Sequence, residues 1–227
     1  MARATPLDPG PERAVAERRP THGHRNRFVP IEDDPARPRL FFAVPIPDPA
    51  REHVAALIET VQSSVGDGSA KIRWVRVEGL HLTLRFLGPT PVERIPELEA
   101  ALARVAAGVA PFPVTISGAG AFPGPLHPRT LWLRIEVGAD RLAELAAELG
   151  AVAAADGSQL ETRPFAPHLT IARTDGLRSA PEAARALISA AETLEAPFTA
   201  ERVVLFRSLL GRGPARYESL AEAALEG

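Results

Sequence analysis

Two short segments of the sequence are nearly identical, and they constrain the fold more than any other feature. HLTLRF begins at His81 and HLTIAR begins at His168, in a chain of 227 residues that has only 6 histidines. In a β-strand, successive side chains point to opposite faces. Each segment therefore predicts a strand that buries its aliphatic residues and presents an imidazole beside a threonine hydroxyl. The fold has to accommodate two such strands.

The rest of the pattern predicts an α+β protein. Helices are indicated by apolar residues at helical spacing after Asp48-Pro49, with a stop at Gly66, after the predicted capping box at 90–93, and after Asp140. A second capping box is predicted at 179–182. Further strands are predicted in LFFAV, FPVTISG, TLWLRIEV, FTAERVVLFRSLL and ARYESLAEAAL. Their alternation favours antiparallel sheets with one covered face, in two similar halves that each contribute one His-Leu-Thr.

The N-terminal segment differs from everything that follows it. Residues 1–38 mix proline, arginine and acidic residues without periodicity, and they offer little apolar surface for burial. We predict that this segment is a disordered tail and that residues 39–227 form the functional domain, made of two lobes. His22 and His24 lie in the predicted tail and are interpreted as solvated side chains.

Composition excludes several classes of function. The formal net charge is -2, so no overall positive field attracts nucleic acid or anionic lipid, and any anion site must be local. With 0 cysteines there is no disulfide, thiol nucleophile or cysteine-based zinc site. No segment is long and apolar enough to span a membrane, and the N-terminus lacks the apolar region of a signal peptide. We therefore expect a cytoplasmic protein; nothing implies an oligomer, and we expect a monomer.

Two imidazoles and two hydroxyls suit the cleavage of a phosphodiester. That reaction needs one proton removed from the attacking oxygen and another delivered to the leaving oxygen, and histidine performs either role near neutral pH. Threonine hydroxyls can donate to the nonbridging phosphoryl oxygens. The serine-hydrolase motif G-x-S-x-G and the phosphate loop G-x-x-x-x-G-K-[ST] are absent. Metal sites usually add closely spaced carboxylates, so we expect neither a metal nor another cofactor.

The chain resembles the 2H phosphoesterases, which are named for two H-x-T-x motifs. Within them it is similar to the bacterial and archaeal RNA 2′,3′-cyclic phosphodiesterases once called 2′-5′ RNA ligases. The resemblance runs from about Arg39 to Tyr217 and is carried by RLFFAVPIP, RWVRVEGLHLTLRFLG, GAGAFPGPLHPRTLWLRI, FAPHLTIAR and VVLFRSLLGRGPARY. It implies a bilobal α+β fold with pseudo-two-fold symmetry and a central groove. It also implies metal-independent hydrolysis of a terminal 2′,3′-cyclic phosphate to a 2′-phosphate, with RNA or a nucleotide as the partner.

The resemblance also implies roles for particular residues. His81 corresponds to the proton donor to the departing 3′ oxygen and His168 to the base that activates water. The two hydroxyls that would hold the phosphate are those of Thr83 and Thr170, and Arg173 is the best further candidate for that task. Arg85 is a weaker candidate because we expect it to share the strand face of Thr83.

Aromatic side chains are further candidates for the same groove. Phe42 and Phe165 could stack on a base, against the alternative that each belongs to the core. His53 and His127 lack a following threonine and are interpreted as surface or loop residues.

Several activities remain open at the level of sequence. The same four side chains serve a 2′,5′-phosphodiesterase, an ADP-ribose cyclic phosphate hydrolase, and 2′-5′ RNA ligation. A module that binds RNA or nucleotides without catalysis is a further alternative, and its sign would be a degraded motif. Both motifs are intact.

Overall fold

The computed structural model of the chain describes residues 34–66, 72–154, 165–174, 180–209 and 215–227. Within these ranges there are nine β-strands: β1 (Arg39–Pro45), β2 (Arg73–Trp74), β3 (His81–Pro89), β4 (Phe112–Phe122), β5 (Thr130–Val137), β6 (His168–Arg173), β7 (Ala196–Ala200), β8 (Arg202–Leu209) and β9 (Arg216–Ala224). The same ranges contain four α-helices: α1 (Asp48–Val65), α2 (Ile95–Ala107), α3 (Ala139–Ala153) and α4 (Ala180–Ala190). The predicted α+β class is confirmed.

The strands form two sheets. Sheet 1 has the strand order β3-β1-β8-β9, and sheet 2 has the order β2-β6-β5-β4-β7. Every neighbouring pair is antiparallel, as the alternating sequences predict. The two His-Leu-Thr strands belong to different sheets, and β3 and β6 contact each other. The two motifs therefore lie where the sheets meet.

The lobes are not the two halves of the sequence, which corrects the prediction of two similar halves. Sheet 1 joins β1 and β3 to the C-terminal hairpin β8–β9, while β2 belongs to sheet 2. The helices do not follow the sequence halves either. Helices α2 and α3 pack on sheet 1, whereas α1 and α4 pack together against sheet 2. A two-stranded β1–β3 sheet would be marginal alone, and the C-terminal strands extend it to four.

Local signals set the C-terminal end of α1 but misled at α2. Helix α1 stops at Gly66 as the sequence predicts: its last residue is Val65, and Gly66 is the C-cap with φ 58°. The sequence suggests Asp48 as the N-cap, but Pro47 occupies that position and Asp48 is the first helical residue, with Pro49 after it in the first turn. The capping box predicted at 90–93 is wrong. The hydroxyl of Thr90 donates to the carbonyl of Gly88 at 3.0 Å, and a 3₁₀ turn precedes the start of α2 at Ile95. The second predicted box includes Ser179, which lies outside the described residues.

The end of the predicted tail belongs to the folded domain. The backbone N–H of Thr90 donates to the carbonyl of Pro38 at 2.9 Å, and that of Val92 donates to Ala36 at 3.1 Å. These bonds extend the pairing of β1 with β3 beyond the Arg39–Pro89 pair, and Pro38 is buried. Ala36 and Pro38 therefore contact the folded domain, although the predicted boundary assigns both residues to the tail. The rest of the predicted tail, residues 1–33, lies outside the described residues.

Among the described residues, no helix combines the length and the apolar content needed to cross a membrane.

Candidate active site

The two motif strands have the burial that alternation predicts. In both strands the histidine and the threonine are half-buried, while the aliphatic residues between and after them belong to the hydrophobic core. Those core residues are Leu82, Leu84, Leu169 and Ile171. The aliphatic face thus anchors each strand, and the polar face is left for chemistry.

Each imidazole is held by the same backbone contact. Nδ1 of His81 lies 2.7 Å from the carbonyl oxygen of Gly79, and Nδ1 of His168 lies 2.7 Å from that of Ala166. A carbonyl oxygen only accepts, so in both rings Nδ1 carries the hydrogen and donates it. In the neutral ring, Nε2 is then the nitrogen that takes up a proton. Both histidines are therefore oriented alike, each by the residue two positions before it.

A β-bulge follows each threonine and decides which later side chains reach the groove. Leu84 has no partner in the β1–β3 pairing, and Ile171 has none in the β5–β6 pairing. An extra residue reverses the alternation of side chains along a strand. The residue four positions after each histidine therefore turns to the helix-covered face. The residue five positions after each histidine turns to the groove.

The two arginines of the motifs consequently face opposite ways. Arg85 stands opposite Phe42 in β1 and runs beside α3, where a Cβ added at Gly150 would lie 3.7 Å from its Nε. The prediction that Arg85 shares the face of Thr83 is wrong because the bulge turns it away. Arg173, five positions after its histidine, points to the groove.

The side of the groove formed by sheet 1 contains a cavity of about 440 Å³. Its lining combines the proposed chemistry with aromatic surface and one charge from sheet 2, through residues that include His81, Thr83, Phe41, Phe86, Tyr217 and Arg173. The guanidinium of Arg39 lies 5.1 Å from the ring centre of Phe86 at the same cavity. Arg173 thus brings a charged side chain of sheet 2 to a cavity that is lined mainly by sheet 1.

Aromatic rings enclose His81. The centres of the Phe41 and Tyr217 rings each lie 4.8 Å from the imidazole centre, Tyr217 edge-on at 83°, and Phe206 lies at 6.0 Å. Burial lowers the pKa of His81 because the charged ring would lose its hydration. The hydrogen bond to Gly79 opposes this shift, and the positive charge of Arg173 adds to it. Without a ligand, His81 therefore favours its neutral form.

Tyr217 responds to the same surroundings. Burial raises the pKa of its phenol, because the phenolate would be poorly solvated, and Arg173 opposes the shift. Tyr217 therefore acts at the cavity as a neutral hydroxyl. Sequence reasoning missed this residue and Phe41. Phe41 lies in a continuous apolar run and Tyr217 among polar residues, and neither context shows which face the ring occupies.

The side of the groove formed by sheet 2 carries a stacked pair of aromatic rings beside His168. The ring of Phe122 stacks on Trp132 at 4.9 Å and 26°, and it meets His168 edge-on at 5.3 Å. Phe122 remains 40% exposed. Trp132 lies flat over β4, where a Cβ on Gly120 would clash with the indole ring, so this position must be glycine. The glycine at position 120 therefore makes room for the stacked rings of Trp132 and Phe122 beside His168.

The base-stacking predictions fare differently. Phe42 is only 1% exposed and packs in the core, so it cannot stack on a ligand. Its neighbour Phe41 faces the groove because the faces alternate, but only 3% of Phe41 is exposed and its ring packs against His81. Phe165 is 36% exposed and precedes His168 by three residues; its stacking role remains a prediction. His53 and His127 are exposed, on α1 and in the β4–β5 loop, as expected.

Other features of the described residues offer less chemistry. A cavity of about 500 Å³ lies between α2 and α3, lined mostly by alanine and valine with Glu97 and Arg104. It has no histidine, and neither motif strand lines it. Within the described ranges, no group of three or more acidic, histidine or cysteine side chains has the geometry to hold a metal ion.

Two antiparallel sheets that bring His-x-Thr strands to one groove are the arrangement that the resemblance to the 2H phosphoesterases implies. A family model described as the 2′-5′ RNA ligase superfamily matches residues 46–212. The chain therefore belongs to the 2′-5′ RNA ligase superfamily.

Individual relatives agree with this assignment. The chain is 34% identical over 196 residues to an RNA 2′,3′-cyclic phosphodiesterase of Geobacillus stearothermophilus, a match that covers 84% of this chain and 58% of the relative. It is 30% identical to the RNA 2′,3′-cyclic phosphodiesterase of Thermotoga maritima, over 83% of this chain and 96% of the relative.

Solved structures show the same fold. The crystal structure of TT0787 of Thermus thermophilus matches with a TM-score of 0.66 and 28% identity, over 83% of this chain and 98% of that one. The crystal structure of E. coli LigT complexed with NADP+ matches with a TM-score of 0.62 and 27% identity, over 84% of this chain and 99% of that one. The expected bilobal architecture is confirmed.

Proposed function

We propose that this protein hydrolyses the 2′,3′-cyclic phosphate at the end of an RNA to a 2′-phosphomonoester. The observation that carries the proposal is the pair of imidazoles on contacting strands of different sheets, each held through Nδ1 and each two residues from a threonine. The names of the relatives support the choice of a cyclic phosphodiester. So do the nucleotides in the E. coli LigT complexes, which include NADP+ and 3′-AMP.

The proposed reaction is an in-line displacement at phosphorus. His168 removes a proton from water, and the water oxygen forms the new bond to phosphorus. The bond from phosphorus to the 3′ oxygen breaks on the opposite side, and His81 delivers a proton to that oxygen. The 2′ oxygen keeps its bond to phosphorus, which makes the product a 2′-phosphomonoester.

The shapes of the two sides favour this division of labour. His81 lines a partly open cavity that can hold the terminal nucleoside, which places the departing 3′ oxygen on its side of phosphorus. His168 lies beside the partly exposed ring of Phe122, where water has access. The water therefore approaches phosphorus from the side of sheet 2, and the 3′ oxygen departs toward the side of sheet 1.

The phosphate itself is assigned to three side chains. Thr83 and Thr170 donate hydroxyl hydrogens to nonbridging oxygens, and the guanidinium of Arg173 offsets the charge that develops in the transition state. These groups and the imidazoles supply the proton transfer and charge stabilisation that a metal would otherwise provide, so the reaction needs no divalent ion.

His81, the proposed acid, has to be protonated when the substrate is bound. Burial lowers the pKa of His81 in the ligand-free protein, which disfavours the imidazolium. A phosphodiester anion beside the ring acts in the opposite direction and favours the charged form. Binding of the substrate thus raises the pKa of His81 and prepares it to protonate the leaving oxygen.

The decisive experiment follows both the product and the metal requirement. An RNA oligonucleotide with a 2′,3′-cyclic phosphate end is incubated with the protein in EDTA, and the position of the product phosphate is mapped. We expect a 2′-phosphate at an unchanged rate with and without chelator, and no product from the His81→Ala/His168→Ala double variant. A 3′-phosphate product, or inhibition by EDTA that an added metal reverses, would contradict the proposal.

A further inference from the structure

One buried hydroxyl at the cavity, that of Ser208, differs from the other buried polar side chains. Among the described residues, the buried polar side chains are those of Thr90, Thr174 and Ser208. The Thr90 hydroxyl donates to the carbonyl of Gly88, and the Thr174 hydroxyl donates to the carbonyl of Pro128. Ser208 is only 7% exposed, yet no described residue forms a hydrogen bond with its hydroxyl. Buried polar groups are almost always hydrogen-bonded, so this hydroxyl calls for a partner from outside the domain.

The cavity beside His81 is the place from which that partner can come. Ser208 lines the cavity, and it lies in β8, which pairs with β1 on one side and with β9 on the other. The backbone of Ser208 therefore takes part in the sheet, and its side chain is the part that is left for the cavity. A ligand in the cavity would supply the missing hydrogen-bond partner.

A positive charge stands next to this hydroxyl. Arg39 lies directly opposite Ser208 in the β1–β8 pairing and lines the same cavity. Directly opposed residues share a face of the sheet, with Cβ atoms about 5 Å apart. The guanidinium of Arg39 lies over the ring of Phe86, 5.1 Å from its centre, and this contact holds it at the cavity. A guanidinium only donates hydrogen bonds and a hydroxyl can donate one, so the pair suits an anion.

This pair lies away from the proposed site of the reacting phosphate. Thr83 stands opposite Ala43 of β1, four residues along the strand from Arg39. Four residues of a strand span about 13 Å. The cavity therefore has two polar ends, and its volume of about 440 Å³ leaves room for one nucleoside between them.

We propose that Arg39 and Ser208 form a second anion site, which binds a phosphate group on the 5′ oxygen of the nucleoside whose cyclic phosphate is cleaved. This inference rests on the proposed function and adds a binding site to it. The site distinguishes a nucleotide that carries two phosphate groups from one that carries the cyclic phosphate alone. Neither Arg39 nor Ser208 takes part in the proposed proton transfers, so each can be replaced without removing the chemistry.

The main test compares two substrates that differ only in the 5′ group. They are adenosine 2′,3′-cyclic phosphate and its 5′-phosphorylated form, and kcat/KM is measured for each. A hydrogen bond to a charged group is worth about tenfold, so two contacts predict a gain of about 10² from the 5′-phosphate in the wild type. Ser208→Ala and Arg39→Gln should each reduce this gain about tenfold, and each should leave kcat/KM for the unphosphorylated substrate unchanged.

Two further variants control for effects on the fold. Thr90→Val removes a buried hydroxyl that is hydrogen-bonded within the domain, and Arg185→Gln removes an exposed positive charge from α4. Neither residue lines the cavity, so both variants should keep the wild-type ratio of the two kcat/KM values. A merely structural role of Ser208 would lower both values together and leave this ratio unchanged.

Product binding gives a readout that does not depend on turnover. Calorimetry compares the Kd of adenosine 2′-phosphate with that of adenosine 2′,5′-bisphosphate. We expect the wild type to bind the bisphosphate about 10² more tightly, and Ser208→Ala to lose about tenfold of this advantage. The Kd of the monophosphate should be the same in both proteins.

The second phosphate can be a monoester of a mononucleotide or a diester within a chain. A dinucleotide that ends in a cyclic phosphate places a diester on the same 5′ oxygen. An equal gain for the dinucleotide shows that the site accepts a chain, whereas a gain confined to the monoester shows that it selects a terminal phosphate. In both cases Ser208→Ala should reduce the gain about tenfold.

The inference and the proposed function fail in different ways. If the 5′-phosphate changes neither kcat/KM nor Kd, or if Ser208→Ala and Arg39→Gln lower the values with and without it equally, there is no second anion site and the proposed function stands. If neither cyclic substrate is hydrolysed, the proposed function fails. The calorimetric comparison then decides the anion site alone: equal Kd values for the two products overturn it, and a bisphosphate advantage that Ser208→Ala reduces supports it.

Discussion

The surroundings of His81 and His168 differ although the two residues share a tripeptide and a hydrogen-bonding pattern. His81 is enclosed by three aromatic rings and borders a cavity, whereas His168 lies beside two rings, one of them 40% exposed. Both rings donate from Nδ1 to a carbonyl two residues earlier. The motif therefore prepares two equivalent imidazoles. The strands around them form a cavity beside His81 and a partly exposed aromatic pair beside His168.

The most direct challenge to this difference is to remove each imidazole in turn. We expect His81→Ala and His168→Ala each to lower kcat on a cyclic-phosphate substrate by about 10² to 10⁴ while leaving the fold and product binding intact. The double variant should be little worse than either single one, because both groups act in one displacement. Steady-state kinetics and circular dichroism check this. Near wild-type kcat in one of the single variants would mean that only one histidine is catalytic.

The leaving group can separate the two roles. A phosphodiester that releases p-nitrophenolate needs no proton on the departing oxygen. His81→Ala should therefore stay within about tenfold of the wild type on such a substrate, while His168→Ala keeps a loss of about 10² or more. The release of p-nitrophenolate is followed by absorbance. The reverse pattern would exchange the assignments of acid and base.

The threonines should matter less and more evenly than the histidines. We expect Thr83→Val and Thr170→Val each to cost about tenfold in kcat/KM, with KM raised as well as kcat lowered, since the hydroxyls contact phosphate before and during the reaction. Thr→Ser at each site serves as the control that keeps the hydroxyl. An effect on kcat alone would show that the hydroxyl acts only in the transition state.

The enclosure of His81 predicts a pH effect that is smaller but specific. Since the proposed acid must be protonated, kcat/KM should fall as pH rises through the pKa of His81 in the free protein, which burial holds below its ordinary value of 6.5. The alkaline limb of kcat should lie at higher pH, because bound phosphate favours the imidazolium. These limbs report macroscopic values for the coupled pair of histidines.

Tyr217→Leu opens the enclosure and tests its effect on the imidazole directly. We expect the pKa of His81, followed by NMR titration of its ring proton, to rise toward 6.5 in this variant, because the ring regains hydration. Phe122→Leu, which opens the surroundings of His168, is the matched control and should leave the pKa of His81 unchanged. An unchanged value in Tyr217→Leu would show that Tyr217 does not contribute to the shift.

The strand predictions succeeded where the signal was local. Alternation in the two motifs places Leu82 and Leu169 in the core and the histidines on the opposite face, and the structure has this arrangement. The strand TLWLRIEV has the predicted bounds, Thr130–Val137. The apolar run LFFAV is a buried strand as predicted, yet its continuous burial hid the fact that Phe41, rather than Phe42, faces the groove.

The amino-acid sequence alone is enough to specify two histidine strands, the side chains on their polar faces, and a mixture of antiparallel strands with helices. It does not specify that α1 covers sheet 2, that Arg85 turns away, or that Arg173 reaches the cavity of the other sheet; these follow from the three-dimensional arrangement. The physical reason is that alternation is a property of one strand, whereas a bulge exists only relative to its partner strand. Strand partners here come from distant parts of the chain, so the faces beyond each bulge depend on pairing that no local pattern records.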